Sequence, residues 1–166
     1  MKTFTLEITA EQGEILVKAL DFYSRIGIGQ IGEVDNMLNM DPHVREEASH
    51  NAVRNALDFV KRELFGFEPG QSFGIFHGKV PERYKAAWDL QQVIRYVLAW
   101  AANPKGGTGV NFNEPMPASK RTLATMKVSE KWLLEMAEKE GNGILSVGGL
   151  VTRMKEANDT TIDPDA

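Results

Sequence analysis

The sequence predicts an α+β fold with a small sheet and several long, partly kinked helices. Residues 3–9 alternate apolar and polar side chains, which is typical of a half-buried strand. Residues 108–113 alternate in the same way after a strong turn at residues 103–107. Other segments repeat apolar residues every three or four positions, which indicates amphipathic helices. These segments cover residues 10–26, 30–40, 43–65 and 81–102.

The composition is that of one globular domain. The chain has 166 residues, 42% of them hydrophobic and 25% charged, which is enough for a core. A net charge of -4 argues against binding of bulk nucleic acid. No apolar run is long enough to span a membrane, and the chain has neither cysteine nor a signal-peptide core, so we expect a cytoplasmic protein. We predict a single domain over residues 1–166, with a helical C-terminal extension at 128–157 and a disordered tail at 158–166.

The first helix begins at a capping sequence and ends among glycines. Gln12 follows Thr9 at the spacing of a capping box. Gly27, Gly29 and Gly32 spell G-x-G-x-x-G, but the dinucleotide fingerprint needs a strand before it. Here a helical pattern precedes the glycines. We therefore predict that the helix bends or unwinds at these glycines.

Arg25 directly precedes the glycine break, and two interpretations of it stay open. A phosphate can bind Arg25 together with backbone N–H groups freed at Gly27 and Gly29. The alternative is an ion pair with Asp21, four residues earlier, that holds the helix end.

Residues 66–78 read GFEPGQSFGIFHG and predict a loop. A short strand at residues 72–76 is an alternative within it. We expect the phenylalanine rings of this loop to be buried. Pro81 suits the first turn of the long helix that follows.

His43, Glu47 and His50 share one face of a predicted helix, which suits either a metal ion or solvent. The solvated face is the simpler interpretation. No H-E-x-x-H, G-x-S-x-G or Walker sequence occurs, and no nucleophile stands beside a base. We predict no enzyme activity, no metal and no cofactor. A metal-dependent hydrolase built on these three residues is the weaker alternative.

The helix at residues 81–102 carries an aromatic and arginine stripe beside its apolar face. The rings can stack on a purine, and Arg95 can hold a phosphate through two N–H donors. Asn111 and Asn113, on the predicted strand, can recognise a ribose or a base edge. Such residues also mark protein interfaces, so a nucleotide pocket and an interface both stay open. The stripe consists of Trp88, Gln92, Arg95 and Tyr96.

Three segments resemble the first family of phage Thoeris anti-defence proteins. They are ALDFYSRIGIGQIGEV at 19–34, DLQQVIRYVLAW at 89–100 and GVNFNEPMP at 109–117, and the resemblance extends over residues 4–121. Members of that family are sponges that sequester the glycocyclic ADP-ribose signals of Thoeris TIR proteins without cleaving them. Some members also hold cyclic oligonucleotides of the CBASS type at a separate site. The family fold is a small antiparallel sheet with long kinked helices, assembled as dimers and often as hexamers.

The resemblance implies a function, a site and partners for this chain. The expected ligand is a cyclic nucleotide signal in the host cytoplasm, bound by a homodimer or hexamer. The alternative is a phage inhibitor or interaction module that binds a protein. The resemblance places the ligand at Arg25, Arg95, Asn111, Asn113 and Arg121. Neighbouring residues complete the predicted site: Tyr23, Gly27, Gly29, Gln30, Trp88 and Tyr96.

Overall fold

The computed structural model describes residues 5–39 and 50–129, and these are arranged as helices and connecting loops. The described residues are 56% helical and contain no strand, so the predicted α+β fold with an antiparallel sheet is wrong for this part of the chain. The predicted extension and tail lie outside the described residues from residue 130 onward. The helices are α1 (Ala10–Gly27), α2 (Glu33–Asn39), α3 (His50–Phe65), α4 (Glu82–Ala102) and a 3-10 helix (Val110–Phe112).

The segments that alternate like strands adopt other conformations. Residues 5–9 form no strand, and Leu6 is 73% exposed. Residues 72–76 form loop and turn. Val110–Phe112 form a 3-10 helix, in which the N–H of Phe112 donates to the carbonyl of Gly109 at 3.0 Å. Alternation produces a strand only where a second strand pairs with its backbone, and the described residues supply none.

The predicted capping box starts α1. The Thr9 hydroxyl accepts from the N–H of Gln12 at 3.2 Å, and the Gln12 side chain accepts from the N–H of Thr9 at 2.9 Å. Two of the unpaired N–H groups of the first turn are thereby satisfied.

The glycine break ends α1 in a Schellman motif. Gly29 adopts a φ of 88°, a left-handed conformation that favours glycine. The N–H of Gly29 donates to the carbonyl of Ile26 at 3.0 Å, and that of Gln30 donates to the carbonyl of Arg25 at 2.9 Å. The predicted unwinding at the glycines is confirmed. The N–H of Gly29 closes the helix end, so the prediction that it is freed for a phosphate is wrong.

The two longest helices, α1 and α4, pack antiparallel. Gly13, near the start of α1, meets Leu98 near the end of α4, and Gly27 at the end of α1 meets Tyr84 near the start of α4. Residues 91–94 of α4 are buried on all sides, so α4 is the central element of the described part. The buried apolar residues are Ile28, Ile31, Val80, Ala87, Val93 and Ile94.

A phenylalanine cluster fastens the loop after α3 to the glycine break. A Cβ at Gly29 would stand 2.8 Å from the Phe67 ring, so only glycine lets this ring approach. Phe67 also packs on Phe65 and Phe73, with ring centroids 5.8 and 4.7 Å away. Burial of the loop's rings is partial, because Phe76 is 60% exposed.

Acidic side chains of α4 hold residues 118–120. Asp89 is 4% exposed and accepts from the N–H groups of Ala118 at 2.6 Å and Ser119 at 3.0 Å, and from the Ser119 hydroxyl. Glu82 accepts from the N–H of Lys120 at 2.9 Å, and this bond lowers the pKa of Glu82. No helix among the described residues is long and apolar enough to cross a membrane.

Candidate functional site

A cavity of about 370 Å³ lies where the first half of α1, the second half of α4 and the 3-10 helix meet. Its volume falls within the range of small-molecule pockets, about 300–1,000 Å³. One acidic and one basic side chain line it, together with neutral polar and apolar side chains. The lining residues are Glu14, Val17, Gln91, Arg95, Leu98, Ala99, Ala102, Asn103, Asn111 and Phe112.

Arg95 is the cation of this cavity. Its Nη2 donates to the side-chain oxygen of Gln92 at 2.5 Å, whereas its buried Nε has no hydrogen-bond partner. Burial lowers the pKa of Arg95, because a desolvated guanidinium favours its charged form less. No carboxylate of the described residues forms an ion pair with it. A buried donor without a partner costs about 1–3 kcal/mol. An anion in the cavity would bring the opposite charge to the guanidinium.

Two buried glutamines extend from Arg95. Gln92 donates through its Nε2 to the Oε1 of Gln91 at 2.7 Å, and these residues are 7% and 6% exposed. Gln91 lines the cavity. This hydrogen-bonded series fixes the orientation of Arg95 before any ligand arrives, which lowers the entropic cost of binding.

The turn after α4 and the 3-10 helix form another wall. The Asn103 side chain donates to the carbonyl of Gly106 at 2.6 Å and so closes the turn. The Phe112 ring packs edge-on against Trp100, with centroids 5.5 Å apart, and Trp100 also contacts Tyr96 at 6.2 Å. The buried Nε1 of Trp100 has no hydrogen-bond partner. Burial and the charge of Glu114 raise the pKa of Tyr96, so this ring stays neutral.

Glu14, an exposed residue of α1, lines the same cavity. It follows Gly13, which meets the Leu98 side chain and so lets α1 approach α4 closely here. No ion pair joins Glu14 to Arg95 in the structure, although both line one cavity. The cavity therefore presents two separated charges of opposite sign.

Of the predicted ligand residues, the cavity collects Arg95 and Asn111. Tyr96 belongs to the aromatic group behind the Phe112 wall. Trp88 lies seven residues before Arg95 on α4, and its buried Nε1 also has no partner. Asn113 does not line the cavity, and its N–H donates to the carbonyl of Val110 at 3.1 Å.

The other predicted ligand residues lie toward the opposite end of the helix pair. Gly27 meets Tyr84, and Arg95 lies eleven residues further along α4. At a rise of about 1.5 Å per residue, Tyr84 and Arg95 lie about 16 Å apart along the axis of α4. The N–H of Arg121 donates to the Ser119 hydroxyl at 3.2 Å, so Arg121 adjoins the segment held by Asp89. One copy of the chain does not bring Arg25 and Arg95 to the same cavity.

Arg25 takes part in ion pairs at the α1–α2 corner. Its Nε donates to Asp21 at 2.6 Å, and its Nη1 donates to the Gln30 side-chain oxygen at 3.0 Å and to Glu33 at 3.4 Å. The ion pair with Asp21, one of the two sequence interpretations, is present. Gln30 also reaches the Ser72 hydroxyl at 3.5 Å and so links this corner to the phenylalanine loop.

Tyr23 and Gly27 meet the first turns of α4. The Tyr23 ring lies 5.0 Å from that of Tyr84. Arg83 stacks over Tyr84 at 4.6 Å and donates to its hydroxyl at 3.1 Å. A Cβ at Gly27 would overlap the Tyr84 ring, so this glycine is required by packing.

Sequence reasoning missed several residues that line the cavity. Gln91 lies one helical turn before Arg95 on the same face of α4, which a helical wheel would have found, whereas Asn103 lies in the turn after α4. Glu14 could not be found in this way, because its place depends on the antiparallel packing of α1 on α4. These missed residues are Glu14, Gln91, Asn103 and Phe112.

The described residues hold no cluster of three or more side chains suited to a metal ion. His43 and Glu47 of the alternative metal site lie outside the described residues.

Neither family models, curated proteins nor solved structures yield a match to this chain. The cavity and the residues around it are therefore the features that bear on function.

Proposed function

We propose that the chain is a sponge that binds a cyclic nucleotide immune signal, a glycocyclic ADP-ribose above all, and releases it uncleaved. The observation that carries this proposal is the cavity at Arg95. It combines a half-buried guanidinium, three amide side chains and an aromatic ring. These are the groups that recognise a phosphate, a ribose and a base.

The state of Arg95 favours an anionic ligand. Its Nη2 is bonded to a neutral amide, and no carboxylate of the described residues contacts the guanidinium. A phosphate in the cavity would bring an opposite charge into contact with it and could accept from Nη1, which has no hydrogen bond and is not buried. A charge-assisted hydrogen bond contributes about 1.5–3 kcal/mol, so one such contact accounts for a useful share of the affinity.

The proposed sponge acts as a homodimer or hexamer. Large apolar side chains are exposed on several elements of one copy, and burial against a second copy would remove them from water. Leu64 of α3 is 69% exposed, Phe59 of α3 is 60% exposed and Met116 is 67% exposed.

Capture and release of an intact ligand test the proposal. Purified protein is mixed with cyclic ADP-ribose or a glycocyclic isomer and freed of unbound ligand by filtration. It is then denatured by heat, and the released compound is identified by mass spectrometry. We expect the input compound, unchanged and in stoichiometric amount. A hydrolysed product would establish an enzyme instead, and no captured compound would rule out these signals as ligands.

The alternative function is that of a protein-binding inhibitor, and α3 favours it. Phe59, Val60 and Leu64 are 60%, 40% and 69% exposed on this helix. Aromatic and aliphatic side chains of this kind are typical of interface centres.

Substitution of this surface separates the alternatives. Leu64→Glu adds a charge where a partner or a second copy would bind. For a sponge, native mass spectrometry detects the cyclic ligand in both proteins, with a change at most in oligomer size. For a protein inhibitor, the wild type retains one host protein in a pull-down, the variant loses it, and neither holds a nucleotide.

A further inference from the structure

We infer that Glu14 is a specificity-determining residue of the cavity: it accepts from a free ribose hydroxyl of the ligand whose phosphate binds Arg95, and it rejects ligands that carry a further phosphate at that ribose. This inference rests on the proposed function and specifies which nucleotides the site accepts.

The placement of the two charges carries the inference. Glu14 and Arg95 line the same cavity from α1 and α4, yet no ion pair joins them. Arg95 keeps a buried Nε without a partner, and the exposed Glu14 forms no hydrogen bond or ion pair with the described residues. Two opposite charges that share a cavity without contact leave room for a molecule that offers an acceptor to one and a donor to the other.

A ribose phosphate has these two features on one small unit. Its phosphate oxygens accept from a guanidinium, and its hydroxyls donate to a carboxylate. The same chemistry operates at dinucleotide sites, where a carboxylate accepts from a ribose hydroxyl and disfavours a phosphate at that position. A base amino group would also satisfy a carboxylate. The ribose is favoured because the amide of Asn111 lines the same cavity and can share its hydroxyls.

The net charge of the lining supports selection against extra phosphates. Glu14 and Arg95 cancel formally, and the other lining residues are neutral. Cyclic ADP-ribose already carries two phosphates, and a third phosphate near Glu14 would meet a like charge with no further cation among the lining residues. Repulsion between these like charges weakens binding of the ligand with the added phosphate, and it does not raise the affinity for the ligand without it.

The experiment measures a ratio of affinities. Titration calorimetry gives the Kd of cyclic ADP-ribose and of cyclic ADP-ribose 2′-phosphate for the wild type and for Glu14→Gln. We expect the wild type to prefer the unphosphorylated ligand by at least about tenfold. In Glu14→Gln this preference should fall about tenfold, mainly through tighter binding of the phosphorylated ligand. Glu11→Gln makes the same change one turn earlier on α1, outside the cavity lining, and should leave the ratio unchanged.

Each result decides between defined conclusions. If the wild type binds cyclic ADP-ribose and the two glutamine variants keep the wild-type ratio, the inference about Glu14 is overturned and the sponge stands. If Glu11→Gln lowers the ratio as much as Glu14→Gln, the effect is one of general charge, and the inference is again overturned. If the wild type binds neither compound and also captures no glycocyclic isomer, the proposed ligand class and the role of Glu14 fall together.

Discussion

Arg25 and Arg95 lie toward opposite ends of one helix pair and have opposite environments. The Arg25 side chain is 40% exposed and is paired with two carboxylates, those of Asp21 and Glu33. Arg95 is half-buried, donates to the neutral amide of Gln92 and has a buried Nε without a partner. The first arginine contacts two carboxylates, whereas the second contacts none among the described residues.

This difference separates a structural arginine from a candidate binding arginine. Compensated charges at a corner stabilise its geometry, whereas a desolvated charge without an opposite partner lowers stability unless a ligand restores the balance. Sequence alone ranks the two arginines equally, since both stand near aromatic residues. The partners around each guanidinium distinguish them.

The largest expected effect is a loss of stability at the end of the α1–α4 pair that carries Arg25. Gly27→Ala should destabilise the fold by about 3 kcal/mol, because its Cβ overlaps the Tyr84 ring. Gly13→Ala at the cavity end is the matched control. Its Cβ would stand 3.1 Å from the end of the flexible Leu98 side chain, and alanine favours a helix by about 1 kcal/mol. Urea denaturation should give a near-normal midpoint for Gly13→Ala. Equal losses in both variants would mean that the two ends do not differ in packing.

The second prediction concerns residues 118–120, which are hydrogen-bonded to acidic side chains of α4. Asp89→Asn should cost about 2 kcal/mol, because an amide cannot accept from all the N–H and hydroxyl donors that the carboxylate satisfies. Hydrogen exchange at Ala118 and Ser119 should speed up together with a lower Tm. Glu82→Gln changes an exposed hydrogen bond of the same segment and should have a smaller effect. Unaltered exchange in Asp89→Asn would show that this bonding does not hold the segment.

Arg95→Ala tests the uncompensated charge directly. Affinity for cyclic ADP-ribose should fall about ten- to hundredfold, equivalent to about 1.4–2.7 kcal/mol, while the Tm without ligand should not fall, because the variant also removes a buried donor that lacks a partner. Arg83→Ala removes an arginine from the other end of α4, where it stacks on Tyr84. Calorimetry should give wild-type affinity for this control. An equal loss in both variants would indicate attraction by overall charge and not a contact in the cavity.

Arg25→Ala should have the smallest effect. Exposed ion pairs contribute little each, so we expect a loss of about 0.5–1 kcal/mol of stability, seen as a lower Tm. Arg25→Lys should recover part of it, because lysine keeps the charge but not the planar fork. A normal melt combined with weaker ligand binding would favour the other interpretation, a phosphate contact at the α1–α2 corner.

Local patterns in the sequence determined the helical part of the fold. The capping box at Thr9, the end of α1 at Gly27 and the start of α4 after Pro81 are confirmed. Each depends on backbone hydrogen bonds or dihedral angles within a few residues, so a short stretch of sequence is enough to predict it. The aromatic and arginine stripe of α4 was visible for the same reason, and two predicted ligand residues, Arg95 and Asn111, line the cavity.

Only the tertiary structure decided what those elements do together. The strand prediction failed at residues 5–9 and 110–112 because alternation is local, while a strand needs a distant partner for its backbone, and the described residues provide none. The antiparallel packing of α1 on α4 placed Arg25 and Arg95 at separate levels and brought Glu14 into the cavity. Such pairings join residues about eighty positions apart in the chain. They follow from the shape and burial of whole helices, which no short motif records.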